Sequence, residues 1–326
     1  MQAIGGLRGA ATVTRAGRVK LEVAGGLADA EAGVECTPQT RFQICSVSKQ
    51  FAATAAMLLA ESGQLDLAEP VARWLPGCPP QWQGVTLHHL LTHTAGVRHW
   101  GDAPGFDASQ PVDLAERIAL IQQAPLLTDP GTRWHYSSPG YLLAGHVVAQ
   151  ASGQPYAGFV TEQVLVPLEL ASTSAGGLSA GGAAARGYRN GQPVAPWPLD
   201  AMPGTGDICS TVGDLARFTA AVHSGPLIRQ RRFAQAMITP HVPVPDGQGT
   251  SDGWVTCHGY GYAQFIGDIA GHTAYLHPGD NPGYQSLVVW LPGEEACAVI
   301  LTNDEAADTE ALLRQLIPVA LDNDGP

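Results

Sequence analysis

The stretch Cys45-Ser46-Val47-Ser48-Lys49-Gln50-Phe51, continuing as Ala52-Ala-Thr-Ala-Ala-Met-Leu-Leu-Ala-Glu-Ser62-Gly63, decides how the rest of the chain is read. After Ser46 the residues are good helix formers, with no proline or glycine before Gly63. This predicts one helix that begins near Ser46 and is capped at Gly63. Ser46 and Lys49 then sit three residues apart on one face. Only Lys20 and Lys49 are lysines among the 17 basic residues, so an amine stands here in a chain that otherwise uses arginine. An amine near the positive end of a helix and shielded from water has a lowered pKa and acts as a base, whereas a guanidinium stays protonated. A serine at a helix start offers a nucleophilic hydroxyl and a backbone N–H for an oxyanion. The S-x-x-K spacing is common by itself, and a capping serine beside a solvated lysine has the same letters. The chemistry therefore needs support from elsewhere in the chain.

At 326 residues the chain is long enough for a large core, as one large domain or two interleaved ones. A hydrophobic fraction of 45% with 14% charged residues is globular. The formal charge of -12, with no basic run beyond Arg229, Arg231 and Arg232, argues against nucleic acid as a partner. Apolar stretches such as Leu142 to Gly145 or Leu287 to Leu291 fall far short of the roughly 18 to 20 residues of a membrane span. The start, Met1-Gln-Ala-Ile-Gly-Gly-Leu-Arg8, has neither a basic nor a long apolar leader segment. The expected location is the cytoplasm as written, or outside the cell if a leader has been removed. Six scattered cysteines (Cys36, Cys45, Cys78, Cys209, Cys257, Cys297) form no C-x-x-C pair, which predicts free thiols and no zinc site.

Residues 9 to 25 alternate around Arg15-Ala16-Gly17-Arg18 and predict an antiparallel hairpin with Val13, Leu21 and Val23 inward. From about 85 to 200, helical patterns broken by Pro and Gly (Val85 to Leu91, Val112 to Gln123, Leu142 to Ser152) predict a largely helical insertion. Small residues between 171 and 206 predict surface loops. Asp207 to Phe218 reads as a helix. Strands return at Gly259 to Phe265, His272 to His277, Gln285 to Leu291 and Cys297 to Thr302, the last two joined through Pro292-Gly293-Glu294-Glu295. Ala306 to Leu321 reads as a closing amphipathic helix. Strands at both ends imply a sheet completed by both termini. The expected division is a discontinuous sheet domain over 1–80 and 205–326 and a helical domain over 81–204.

Two further stretches can carry chemistry. Tyr136-Ser137-Ser138-Pro139-Gly140 is a loop ahead of a helix, from which a phenol can reach into a cleft and relay a proton if a cation holds down its pKa. His277-Pro278-Gly279-Asp280-Asn281 reads as a strand end in a glycine-rich bend. There glycine lets a ligand approach backbone, and His277 could bind a substrate carboxylate or steer protons. Two other patterns are set aside. Gly177-Leu-Ser179-Ala-Gly181 matches a G-x-S-x-G elbow without the strand that should precede it. His88, His89 and His93 lack the spacing of a zinc helix.

In order, Ser46-x-x-Lys49, Tyr136-x-Ser138 and His277-x-Gly279 resemble the S-x-x-K, Y-x-N and H-x-G motifs of the serine beta-lactamase and penicillin-binding-protein superfamily, in its class C beta-lactamase-like branch. Phe42 to Phe51, Leu90-Leu-Thr-His-Thr-Ala-Gly96, Pro130 to Tyr136 and Pro282-Gly283-Tyr284 look like stretches of the same family. The resemblance implies an α/β (α+β) fold of the beta-lactamase/transpeptidase type: an antiparallel sheet flanked by helices, plus a mostly helical second domain, with the site between them. It implies that Ser46 is acylated, that Lys49 is its base or proton relay, and that Tyr136 activates Ser46 or the deacylating water. The backbone N–H groups of Ser46 and Asp280 would form the oxyanion hole. His277 would take the place held by lysine in K-T-G versions of the third motif. Leu90 to Gly96 is given a structural role.

The implied activity is a serine hydrolase acting through an acyl-enzyme on a small ester, amide or D-amino-acid-containing substrate, with no cofactor and no metal. The alternatives are an acyltransferase on the same fold or a catalytically silent binding protein. Three departures stand out. Ser138 replaces the usual Asn, which favours ester or acyl-transfer chemistry over beta-lactam or peptide binding. Pro278 removes a backbone donor inside the third motif. The helix that usually precedes the first strand is almost absent.

Overall fold

The computed structural model describes residues 4–102, 107–177, 184–225, 227–245 and 253–322. Its centre is an eight-stranded antiparallel sheet built from β1 (Gly9–Arg15), β2 (Arg18–Gly25), β3 (Val242–Pro243), β4 (Val255–Tyr260), β5 (Phe265–Ile269), β6 (His272–Asn281), β7 (Tyr284–Leu291) and β8 (Ala296–Thr302). The spatial order is β3-β4-β5-β6-β7-β8-β1-β2, so the N-terminal hairpin completes the sheet beside the last strand. Val13 pairs with Ala298 across β1 and β8, and with Leu21 across β1 and β2.

Both faces of the sheet are covered, which explains the unbroken apolar run of β8. Ala296, Ala298 and Ile300 face one core with α8 (Thr309–Leu321), while Cys297, Val299 and Leu301 face the other. The second, larger core holds α1 (Ser48–Glu61), α4 (Ser138–Ser152) and α6 (Val212–His223). In α1 the small residues Ala52, Ala53, Ala55 and Ala56 are buried, and Phe51 stacks on Phe218 of α6 with ring centroids 3.7 Å apart. Fully burying one such side chain contributes about 1.5 to 3 kcal/mol. The other α-helices among the described residues are α2 (Leu87–Leu91), α3 (Leu114–Gln123), α5 (Tyr156–Val160) and α7 (Arg231–Met237). All six cysteines carry free thiols.

Four local expectations need correction. Gly259 to Phe265 is not one strand but the end of β4, a reversal and the start of β5. Ala263 there adopts φ +57°, and a Cβ on Gly261 would lie 2.2 Å from the Met237 carbonyl oxygen, so the chain turns where it packs on α7. Asp207 to Phe218 begins as a strand, Ile208–Ser210, held between Phe42–Gln43 and Ser174–Ala175; the helix starts only after the Thr211 cap. The third α-helical pattern starts four residues earlier than expected, at Ser138, with the Ser137 side chain accepting from the Gly140 N–H. Finally, β6 runs on through Pro278 and Gly279 to Asn281 instead of bending at His277. Pro278 stays in register with Leu287, and β5 has already ended opposite Leu276, so this part of β6 is a free edge. Leu178 to Gly181, the body of the G-x-S-x-G pattern, lies outside the described residues.

Candidate active site

The free edge of β6 meets the start of α1. Cys45 adopts φ +52°, a left-handed conformation that costs a non-glycine residue roughly 1 to 2 kcal/mol, and Cys45–Val47 forms a short 3-10 turn ahead of α1. Opposite it, a Cβ on Gly279 would lie 2.8 Å from the Ser46 backbone nitrogen and 2.9 Å from the Cys45 Cβ. Only glycine lets the strand edge come this close. The turn is fixed further by the Ser286 hydroxyl, which donates to the Ile44 carbonyl at 2.8 Å.

Lys49 points from the first turn of α1 into this junction and has no exposed surface. Its Nζ lies 2.9 Å from Ser46 Oγ, 3.1 Å from Ser138 Oγ and 3.1 Å from the Thr205 carbonyl oxygen. Thr205 is brought there by close backbone packing. A Cβ on Gly145 of α4 would lie 2.8 Å from the Pro203 carbonyl, and the turn after it is tied by the Gly204 N–H donating to the buried Asp207 carboxyl at 2.9 Å. Burial lowers the Lys49 pKa to about 7, against the smaller opposing pull of Asp280. Burial likewise raises the Asp207 carboxyl to about 7.

Thr205 O accepts only, so it takes one N–H of the amine. A neutral amine has a second N–H for Ser138 and one lone pair, which then faces the Ser46 hydroxyl.

Tyr136 joins the cluster through its phenol, which the Ser46 and Ser138 side chains influence by pulling its pKa down. Its ring centroid is 5.0 Å from Lys49 Nζ. Despite that neighbour, burial dominates and pushes the phenol pKa up. The condition considered for Tyr136, a cation that holds its pKa down, is not met, because burial outweighs its neighbours. Ser138, where the resemblance expects Asn, spends its hydroxyl on Lys49.

Sequence reasoning missed the residues that hold Tyr136 in place. His93, in a left-handed conformation at φ +59°, accepts from the His135 N–H at its carbonyl (2.8 Å) and from the Ser137 N–H at Nδ1 (3.1 Å), gripping the residues on both sides of Tyr136. Its ring lies against the Tyr136 ring at 4.3 Å between centroids. His99 Nδ1 accepts from the Ser138 N–H at 3.2 Å. The recurring Leu90 to Gly96 stretch was the one available signal for His93. Nothing local marks His99, Thr205 or Tyr260. The other two histidines of that run diverge from His93, His88 toward Tyr262 and His89 back to the Thr86 N–H.

From His93 a hydrogen-bonded chain reaches the third motif: Nε2 lies 3.2 Å from the Tyr260 hydroxyl, which lies 3.2 Å from His277 Nε2, and His277 Nδ1 lies 2.6 Å from the Pro278 carbonyl oxygen. Burial lowers the His277 pKa to about 3. Asp280 is exposed, and the cleft above Ser46 has two lobes that share Ser46, His99, Tyr136 and Asp280. The larger, about 420 Å³, is walled by Trp134, Phe265 and His277; the smaller, about 70 Å³, by Trp197, Leu199 and Thr205. All seven residues singled out from the sequence (Ser46, Lys49, Tyr136, Ser138, His277, Gly279 and Asp280) thus come together around one cleft.

The sequence matches the Beta-lactamase family model over residues 1–321. It is 39% identical over 175 residues to Esterase EstB of Burkholderia gladioli, covering 48% of this chain and 44% of that protein. It is 28% identical over 306 residues to a putative penicillin-binding protein, PbpX, of Bacillus subtilis, covering 91% of this chain and 71% of that one. The chain thus spans less than half of the esterase. Among solved structures, a penicillin-binding protein from Bacillus halodurans superposes with a TM-score of 0.82 at 25% identity, over 96% of both chains. The sheet order, the lysine beneath a serine at a helix start and a family match that is nearly end to end agree: the chain belongs to the Beta-lactamase family.

Proposed function

We propose that this protein is a serine hydrolase that works through an acyl-enzyme on a small ester or amide. The observation that carries the reading is the Lys49 amine, fully buried and 2.9 Å from the Ser46 hydroxyl at the floor of an open cleft. With a pKa near 7, a substantial share of Lys49 is neutral at neutral pH and takes the Ser46 proton as Oγ attacks the substrate carbonyl. The charge that develops on the carbonyl oxygen is received by the backbone N–H groups of Ser46 and Asp280, a role supported by the close approach of Gly279, the residue before Asp280, to the Ser46 nitrogen. Tyr136, whose ring lies beside the Lys49 amine and whose phenol the Ser46 and Ser138 side chains influence, passes the proton from Lys49 to the leaving group. Water then enters and attacks the acyl carbonyl as it gives a proton to the now neutral amine, and Lys49 returns that proton to Ser46 Oγ as the ester bond breaks. The esterase among the relatives supports this choice of bond.

Intact mass after exposure to a fluorophosphonate tests it. One adduct is expected on the wild type and none on Ser46→Ala. An unmodified wild type, or labelling that survives in Ser46→Ala, would assign the chemistry elsewhere.

A further inference from the structure

Charge in the cleft is one-sided. Among the described residues neither lobe is lined by an arginine or a lysine, whereas the Asp280 carboxylate borders both and Asp102 borders the larger. Asp102 faces His135 Nε2 at 3.2 Å, and Asp280 has no ion pair among the described residues.

His277 stands where the resemblance places a lysine, yet its hydrogen-bond valence is already filled. The Pro278 oxygen can only accept, so Nδ1 carries the hydrogen and the neutral ring leaves Nε2 bare. On His93 the Ser137 N–H must donate to Nδ1, so Nε2–H donates to the Tyr260 oxygen. The Tyr260 hydroxyl hydrogen then goes to His277 Nε2. No donor and no positive charge remains on His277 for a substrate. His99 is likewise an acceptor at Nδ1, and burial lowers its pKa to about 4. Lys49 lies beneath Ser46 with its three partners in place.

We infer that the cleft selects its substrate by charge: it takes an ester or amide that carries an amine beside the reacting carbonyl, with the Asp280 carboxylate as counter-ion, and discriminates against substrates that carry a carboxylate there. The inference rests on the acyl-enzyme reading above. Because Asp280 borders both lobes, the selection holds whichever lobe takes the acyl group. A fixed carboxylate at the mouth of the cleft raises the local concentration of cations and repels anions.

The test uses nitrophenyl esters of three acyl chains of matched length, ending in an ammonium, a methyl or a carboxylate, each kcat/KM divided by the ester's own rate with hydroxide. The ammonium ester is expected to exceed the carboxylate ester by about tenfold or more, with the methyl ester between. That ratio should fall severalfold in Asp280→Asn. It should also shrink in the wild type when salt rises from about 0.01 M to about 0.5 M. Reading the ratio within each variant cancels any change in overall rate. Equal use of the charged esters, preference for the carboxylate, or a ratio unmoved by Asp280→Asn overturns the inference and leaves the hydrolase reading standing. Turnover of all three esters no faster than by Ser46→Ala overturns the hydrolase reading itself.

Discussion

The cluster around Lys49 and the chain from His93 through Tyr260 to His277 are equally dry, yet they behave in opposite ways. Both lose about the same access to water: Lys49 and Tyr260 have no exposed surface, and His93 and His277 keep 2% or less. Burial pushes the lysine and histidine pKa values down in both places. What differs is the partners. Lys49 is held by one obligate acceptor and two hydroxyls that can donate or accept, so it can lose or gain a proton without leaving its place. The histidine chain begins at a backbone N–H and ends at a backbone carbonyl, so its donors and acceptors are locked in one direction. Equal burial thus makes a switchable base in one cluster and a rigid neutral frame in the other, and the fixed backbone groups at the ends decide which.

The comparison breaks first at Lys49. Lys49→Arg keeps a cation that cannot give up its proton, and acylation of an ester should fall about a thousandfold by stopped-flow measurement. A near-normal rate would remove the lysine from the mechanism. In the wild type the acylation rate should climb as pH rises through about 7 and level off above it, since the neutral amine is the reactive form. The same shift acts on stability. Unfolding returns Lys49 to its ordinary value of 10.5, so from about 7 to 10.5 the unfolded chain holds more protons and stability rises with pH; below about 7 the burial cost is present in full. Lys49→Met should therefore raise Tm most at or below pH 7, with a gain that shrinks toward pH 10.

A smaller effect is expected at the seam between the two clusters. Gly279→Ala places a methyl 2.8 Å from the Ser46 nitrogen, parting β6 from the start of α1. The kcat should drop about a hundredfold with KM and fold largely kept, because an ångström-scale misplacement of reacting groups is enough. An unchanged kcat would show that this approach does not align the Ser46 and Asp280 N–H groups.

The smallest effect on rate belongs to the frame. Tyr260→Phe leaves a His93 N–H and a His277 ring nitrogen buried without partners, at a cost of about 1 to 3 kcal/mol in denaturant unfolding. The rate should change about tenfold or less. A loss as large as that of Lys49→Arg would make this chain part of the proton path and erase the contrast.

The legible parts of the molecule are those in which partners are close along the chain. Ser46 and Lys49 meet because they are one helical turn apart, and the hairpin of β1 and β2 follows from alternation around Ala16-Gly17. The apolar runs of β7 and β8 mark strands with two covered faces. The reversal at 261–264 was hidden because Gly259 to Phe265 alternates as a strand does, and only the contact of Gly261 with α7 makes it turn.

In the site, the sequence by itself determined the residue types and their order: a serine and an amine on one turn, then a phenol, then an H-x-G edge. The protonation states were decided by the tertiary structure. The burial that lowers Lys49, the Thr205 carbonyl 156 residues away that orients it, and the backbone groups that keep His277 neutral all come from distant segments packed together. A pKa is set by surroundings in space, and spacing along the chain does not carry that information.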